Sequence, residues 1–259
     1  MRFFGQALVG LLLAAVVGAG GGAVYLASRR GTVTPPLLVE PGLVAEKGAG
    51  AFLYAIRTAG GAVLVDAGAD AKGRPIDAAL RALGATRVEV TDLLLTHGHT
   101  DHTAGAAAVP NARVHAGQGD VGMAATADGE RRGLAPLLAR LWPHGAPRID
   151  DAIAGERRIA LGGGEEARAL PVPGHSRGST AYLVHGVLFV GDVVSYEEGR
   201  LVEAPRLLSD DPDRNLRSVA ALAEELSGVP VRRVCAGHGG CSPDGSAREL
   251  LARFAAGAR

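Results

Sequence analysis

Three histidines and an aspartate lie within six consecutive residues of this sequence, in the hexapeptide HGHTDH at positions 97–102. Imidazole nitrogens and carboxylate oxygens are the donors with which proteins hold zinc and similar divalent metals. The surface of a helix or strand gives no reason for such a density of these side chains. We therefore interpret His97, His99, Asp101 and His102 as metal ligands.

Three further candidate ligands each follow a glycine at the end of a predicted strand. They are His175 after Ala167–Val172, Asp192 after Val187–Val190, and His238 after Val231–Ala236. Strand ends are rigid, and the loops that leave them can converge on one cleft. Glycine lets the backbone turn sharply toward such a cleft. We expect these three residues to join the hexapeptide in one metal site.

The elements that must position these residues alternate between short apolar runs and helical patterns, which is typical of an α/β fold. The other predicted strands are Ala51–Arg57, Ala62–Asp66, Val90–Thr96, Arg113–His115, Arg157–Leu161 and Ala181–Val184. The predicted helices are Pro75–Leu83, Leu134–Trp142, Leu216–Leu226 and Ser246–Ala256. Asp213 is the candidate N-cap of the third helix.

Charge and length narrow the function classes. The 27 basic and 27 acidic side chains give a formal net charge of zero, so there is no electrostatic footprint for a nucleic-acid partner. We expect a small-molecule substrate. Apart from its N-terminal segment, the chain of 259 residues suits one domain better than two.

The N-terminal segment from Ala7 to Ser28 has no charged residue, and Arg2 and Arg29 flank it. Its length matches the roughly 20 residues that cross a bilayer core. We predict an uncleaved membrane anchor in residues 1–30, with a cleaved signal peptide and a soluble helix as alternatives. A Pro-containing linker (31–42) and the domain that carries the candidate metal ligands (43–259) follow. The protein is then membrane-anchored through residues 7–28, or exported if the segment is cleaved.

The two cysteines, Cys235 and Cys241, flank His238. Three interpretations stay open. The favoured one makes Cys235 a small core residue at the end of a strand. An exported domain would allow a disulfide between the two. A role as metal ligands is the least favoured.

The ordered set of HxHxDH, His175, Asp192 and His238 resembles the metallo-β-lactamase superfamily over roughly residues 43–240. The resemblance implies an αββα sandwich, with two mixed sheets between helical layers and the metals at one sheet edge. It further implies two ligand groups: His97, His99 and His175 for one metal, and Asp101, His102 and His238 for the other, with Asp192 bridging both. Asp66 matches an acidic residue that supports such sites.

Two metals in this arrangement predict hydrolysis by a bridging hydroxide, because metal coordination lowers the pKa of water to about 7. Asp101 and Asp192 are the predicted catalytic carboxylates: Asp101 orients the nucleophile and Asp192 bridges the metals. Zinc suits the ligand set best, and iron and manganese also accept these donors.

The residue type at position 192 also indicates which branch of the superfamily the chain resembles. True metallo-β-lactamases have Cys or Ser there, so the pattern resembles the glyoxalase II and lactonase end, which hydrolyses thioesters, esters or lactones. Two departures separate the chain from both. Ser195 stands where lactonases have a tyrosine, with Tyr196 one residue later, and the chain after His238 is too short for the glutathione-binding domain of glyoxalase II. The alternatives are a membrane-tethered metal-binding or sensing module without turnover and a β-lactamase proper.

Overall fold

Seven strands form the first of two large sheets in the computed structural model, which describes residues 37–48, 50–122 and 147–257. The strands follow sequence order: β1 (Leu37–Glu40), β2 (Leu43–Lys47), β3 (Phe52–Thr58), β4 (Gly61–Val65), β5 (Val90–Leu95), β6 (Arg113–Gly117) and β7 (Asp151–Ile153). Strands β1 to β4 pair antiparallel, and β4 to β7 pair parallel. The sheet is therefore mixed.

The second sheet has six strands in the order β15-β14-β11-β10-β9-β8. They are β8 (Arg157–Ala160), β9 (Glu166–Pro171), β10 (Thr180–Val184), β11 (Val187–Gly191), β14 (Arg233–Ala236) and β15 (Gly240–Cys241). Only β11 and β14 pair parallel within this sheet. Strands β12 (Val194–Glu197) and β13 (Arg200–Glu203) form a separate hairpin directly after β11.

Helices cover the outer faces of both sheets. The helices of the described residues that do so are α1 (Arg74–Leu83), α3 (Pro212–Glu225) and α4 (Ala247–Gly257), whereas the short α2 (Thr100–Thr103) lies within the hexapeptide region. One apolar cluster joins α1 to the first sheet, a second lies between the sheets, and a third joins α3 and α4 to the second sheet. In β4, Val63 and Val65 face the other sheet while Leu64 faces α1. Both faces of the strand are thus buried, which explains its continuous apolar run. The layers are those of the predicted αββα sandwich.

Two sequence predictions need correction. The N-cap of α3 is Asp211, whose Oδ1 accepts a hydrogen bond of 2.9 Å from Arg214 N, with proline at the first helical position. Asp213 instead pairs with Arg206 at the surface. Part of the predicted linker, Leu37–Glu40, forms β1, because a turn at Pro41-Gly42 returns the chain into β2.

Two predicted segments, the apolar stretch 7–28 and the helix Leu134–Trp142, lie outside the described residues. Within the described ranges, no helix is long and apolar enough to cross a membrane.

Candidate metal centre

The predicted ligands meet because parallel neighbours end at the same sheet edge. In the first sheet, β4 leads into Asp66, and its parallel neighbour β5 leads into the hexapeptide. In the second sheet, β11 leads into Asp192, and its parallel neighbour β14 leads into the loop of His238. His175 lies in the loop between β9 and β10. The structure brings all seven predicted ligands together in two adjacent clusters.

The first cluster consists of His97, His99 and His175, whose ligand nitrogens lie within 4.8 Å of one another. His99 Nδ1 is 3.0 Å from His97 Nε2 and 3.1 Å from His175 Nε2. Burial, assisted by the neighbouring imidazoles, holds the pKa of His97 well below its usual range and lowers that of His175 to about 3. At neutral pH, His97 and His175 therefore carry neutral rings that can coordinate a metal.

The second cluster consists of Asp101, His102, Asp192 and His238, with donor atoms again within 4.8 Å of one another. His238 Nε2 lies 3.1 Å from Asp192 Oδ2, and His102 Nε2 lies 3.3 Å from Asp192 Oδ1. Asp192 Oδ2 is also 3.9 Å from His97 Nε2 and 3.8 Å from His175 Nε2. The Asp192 carboxylate, although a member of the second cluster, therefore lies on the side of that cluster that faces the first.

The two clusters differ in charge. Burial opposes protonation of His102, but Asp192, Asp66 and Asp101 together hold its pKa well above the usual value. The Asp192 carboxylate likewise raises the pKa of His238. Although burial disfavours a charged Asp192, His238 and His102 keep the pKa of this carboxyl well below its ordinary range. Protons thus balance the carboxylates of the second cluster, whereas His97 and His175 of the first cluster carry neutral rings.

Two buried atoms test whether a metal fits these residues. His102 Nε2 and Asp192 Oδ1 are not aligned for a hydrogen bond, and both are buried without a hydrogen-bond partner. Leaving such groups unsatisfied costs about 1–3 kcal/mol each, and more when they are charged. A cation between them would satisfy both. Three imidazoles in one cluster, and two imidazoles with two carboxylates in the other, are donor sets that suit divalent metals.

The ring nitrogens that face away from the clusters have oxygen partners. His102 Nδ1 lies 2.8 Å from Asp66 Oδ2, and His97 Nδ1 lies 3.0 Å from Thr96 Oγ1, which donates in turn to Asp66. His175 Nδ1 is 3.3 Å from Ser209 Oγ. Such partners fix the tautomer and the ring orientation of metal-binding histidines. Asp66, fully buried and at a positive φ of 60°, thus orients two rings of the site.

The His238 loop approaches the centre very closely. A Cβ at Gly237 would lie 2.1 Å from Asp192 Oδ1 and 2.6 Å from the His102 ring, so only glycine fits there. Its amide donates to Gly191 O at 2.7 Å, and its carbonyl accepts from Phe52 N at 2.8 Å. A disulfide between Cys235 and Cys241 closes the loop. Cys235 is also a buried core residue, so two of the three interpretations of the cysteines hold together.

The centre opens on one side. The side chains of Asp101 and His238 are 35% and 25% exposed, whereas those of His97 and His102 are 1% exposed or less. The turn between β2 and β3 lies beside this opening, where Gly50, with a φ of +114°, packs against the Asp101 side chain. A substrate would therefore reach the centre from the side of Asp101 and His238.

Sequence reasoning missed two residues at this edge. Thr96 connects Asp66 to His97, and Asp120 binds the loops that carry the first cluster. Only the position of Asp120, directly after a strand parallel to β5, could have suggested it. Tyr196, the tyrosine one residue after the lactonase position, packs its side chain into the apolar cluster under α3 and α4, and its amide donates to His238 O at 3.1 Å.

Comparison with known proteins identifies the family. The model of the metallo-beta-lactamase superfamily matches residues 48–238. The chain therefore belongs to this superfamily, as the motif pattern predicted. Two solved structures share the fold: a metallo-beta-lactamase family protein from Thermus thermophilus (23% identity, 84% of this chain and 79% of that chain, TM-score 0.61) and a subclass B3 metallo-beta-lactamase of Bradyrhizobium japonicum (23% identity, 79% and 78%, TM-score 0.59).

Curated relatives agree with the glyoxalase II end of the superfamily. A hydroxyacylglutathione hydrolase of Fuscovulum blasticum is 33% identical over 190 residues, which are 73% of this chain and 61% of that protein. One of Anaeromyxobacter dehalogenans is 34% identical over 147 residues, 55% of this chain and 46% of that protein. The chain thus spans about half to three-fifths of the length of these relatives.

Proposed function

We propose that the protein is a metal-dependent hydrolase that uses two divalent ions, zinc in the first instance, to cleave an ester, thioester or lactone. His97, His99 and His175 would hold one ion. Asp101, His102 and His238 would hold the other, with Asp192 between the two. Asp101 and Asp192 are the carboxylates that would take part in the reaction.

The observation that carries this proposal is the position of Asp192. Its Oδ2 lies within 3.9 Å of ligand nitrogens from both clusters, and its Oδ1 is buried without a hydrogen bond. A carboxylate at that point would have its charge satisfied if each cluster held a cation. Two-metal sites of this kind serve hydrolysis, phosphoryl transfer and related displacements.

When bound, the ions would supply Lewis acidity toward a carbonyl oxygen and lower the pKa of water toward about 7. The chain supplies orientation and proton handling. Asp66 holds the ring of His102 through a 2.8 Å contact at Nδ1. Asp101 presents the most exposed carboxylate of the site, with Oδ2 3.8 Å from His102 Nε2 and 3.9 Å from His238 Nε2. It is therefore the group placed to accept a proton from an incoming water.

The names of the curated relatives make a thioester the first substrate class to test. The family model covers all seven ligands, whereas the curated relatives are matched over only part of their own length. The relatives therefore support a proposal about the type of bond that this protein cleaves better than one about the group that it recognises. We propose thioester hydrolysis ahead of ester and lactone hydrolysis, without assigning the thiol portion of the substrate.

The test is metal content together with turnover in the full-length protein. A panel of a hydroxyacylglutathione thioester, an aryl ester, a lactone and a cephalosporin is assayed before chelation, after chelation and after restoration of zinc. We expect about two metals per chain and reversible, chelator-sensitive hydrolysis, with the thioester fastest. Two metals with no turnover on any substrate would favour a metal-binding or sensing module. Cephalosporin as the best substrate would favour a β-lactamase, and a folded protein without stoichiometric metal would contradict the proposal.

We also propose that residues 7–28 anchor this domain to a membrane and that the domain lies in an oxidising compartment. The uncharged segment supports the first statement, and the Cys235–Cys241 disulfide supports the second, because such bonds persist mainly outside the cytosol. Membrane fractionation of the expressed full chain tests the anchor. We expect extraction by detergent but not by salt, and an N-terminus that retains residues 7–28. A soluble product that begins near residue 30 would identify a cleaved signal peptide instead.

A further inference from the structure

Asp120 is a fully buried carboxylate outside the predicted ligand set. It lies in the short turn after β6, the strand that pairs parallel with β5. Its Oδ2 accepts hydrogen bonds from Gly98 N at 2.8 Å and from Ser176 Oγ at 2.5 Å, and its Oδ1 accepts one from Gly178 N at 2.7 Å.

These three donors belong to the two loops that carry the first cluster. Gly98 lies between His97 and His99, whereas Ser176 and Gly178 directly follow His175. The loops come from different sheets, since β5 belongs to the first and β9 to the second. Asp120 is therefore a single side chain that connects the loops on either side of the first cluster.

The backbone of the turn after β6 packs closely against the His175 loop around Asp120. A Cβ at Gly117 would lie 1.8 Å from Gly178 O, and one at Gly119 would lie 2.6 Å from the carbonyl of Arg177. A Cβ at Gly178 would lie 2.4 Å from Asp120 N. The turn after β6 and the His175 loop are thus in direct backbone contact, and the carboxylate joins them to Gly98.

We propose that Asp120 is a positioning residue that holds His97, His99 and His175 in the geometry the first metal requires. The proposal rests on the metal occupancy stated under the proposed function. Asp66 contacts a ligand ring of the second cluster directly, whereas Asp120 acts through backbone amides and one hydroxyl. It would limit the separation of two loops without touching a ligand atom.

The first test needs no metal. In the metal-free full-length protein, amide hydrogen exchange of Gly98 and Gly178 is measured by NMR for the native protein, Asp120→Asn and Asp92→Asn. Asp92 is a matched control: it is a buried aspartate in β5, hydrogen-bonded to His115 away from the metal clusters. Asparagine keeps one acceptor oxygen and replaces the other with an NH2 group, so one of the two glycine amides loses its acceptor. We expect Asp120→Asn to accelerate exchange at one of the two glycines by about tenfold or more, because a buried amide without its acceptor opens more readily. The control should leave both rates unchanged.

The second test is metal affinity. Cobalt-substituted protein is titrated against a chelator, and the shifted ring N–H signals of His97 and His175 are followed separately from that of His102. We expect Asp120→Asn to weaken the ion of the first cluster by about 10- to 100-fold, the usual range for residues that support ligands, and the second ion less. Ser176→Ala removes one of the three hydrogen bonds to Asp120. It should therefore weaken metal binding less than Asp120→Asn does, again with the first ion affected more than the second. This variant keeps the test available if Asp120→Asn does not fold.

Unchanged exchange at Gly98 and Gly178, or equal affinity of both ions in Asp120→Asn and the native protein, would overturn the role of Asp120. A native protein that binds no cobalt would instead contradict the proposed function. The exchange measurement would still report on the contacts of Asp120, so the two failures are distinguishable.

Discussion

Two groups of histidine and aspartate stand out among the described residues, the cluster around His115 and the candidate metal centre, and they differ in where their donor atoms point. In the cluster of His115, Nε2 is 2.9 Å from Asp92 and Nδ1 is 2.8 Å from Asp151, so each ring nitrogen faces a carboxylate. Arg157 and Arg113 pair with Asp151 from outside. In the metal centre, by contrast, nitrogens of several rings face one another, and His102 Nε2 and Asp192 Oδ1 have no hydrogen bond.

The comparison shows that residue type and burial alone do not define a metal site. The His115 cluster joins β5, β6 and β7 with contacts in which donor and acceptor are matched. In the metal centre, the ring nitrogens that face outward have matched contacts at Asp66, Thr96 and Ser209. A chelating site therefore needs several metal-binding atoms that point toward one another. The hydrogen-bond partners of those side chains lie on the opposite side of each ring.

The largest expected effect is that of Asp192→Ala. This change removes the carboxylate between the clusters, so at least one metal should be lost and turnover should fall by at least about 100-fold, the upper end of what a supporting residue alone costs. Elemental analysis and the hydrolysis assay check it. Full activity with two bound metals would contradict this role of Asp192, and with it the proposed difference between the metal centre and the His115 cluster.

His115→Ala should affect stability and leave metal binding intact. Removing the ring leaves Asp92 buried without its partner, a change that costs about 3–5 kcal/mol in comparable buried pairs. Urea unfolding of the metal-loaded protein measures the loss, and elemental analysis measures the metal. A variant as stable as the native protein, or one depleted of metal, would show that this cluster has a different role.

Asp66→Asn tests the partners behind the ligands. The asparagine amide cannot accept from His102 Nδ1, Thr96 N and Thr96 Oγ1 as the carboxylate does, so we expect the metal of the second cluster to bind about 10- to 100-fold more weakly. Chelator competition gives the affinity. His115→Ala provides the control, since it disturbs a histidine contact of similar burial without touching the ligands.

The smallest effect expected is a difference in pH dependence between the two metals. The pKa values of His102 and His238 are raised, so protons compete with metal there as the pH falls, whereas the lowered pKa values of His97 and His175 remove this competition near neutrality. Each proton displaced costs about tenfold in affinity per pH unit. Equilibrium dialysis between about pH 7.5 and 6.5 should show the second ion leaving first; release of both ions together would contradict this expectation.

The sequence predicted much of the fold and site because both depend on local signals. Apolar runs such as Ala62–Asp66 and the glycine-preceded residues His175, Asp192 and His238 indicate strand ends directly. The structure places two of those glycines, Gly174 and Gly191, at positive φ. The resemblance to a known family then supplied the layer order.

What escaped prediction depends on long-range contacts. Asp120 has no neighbouring motif, and its role is visible only when Gly98 and Gly178 lie beside it. Strand β1 is short and carries the exposed residues Leu37 and Leu38, so no burial pattern marked it. The cap at Asp211 was missed because Asp213, two residues later, is also a good capping residue type.

The path of the chain through the metal centre has a consequence for folding. The ligands begin at residue 97, after β5, and end at residue 238, after β14 has paired with β11. Contacts between residues so distant in sequence form slowly and late. A nascent chain that stops before β14 lacks His238, so its second cluster is incomplete. We therefore expect tight binding of the second ion to mark completion of the second sheet, and its retention to distinguish native protein from compact, unfinished intermediates.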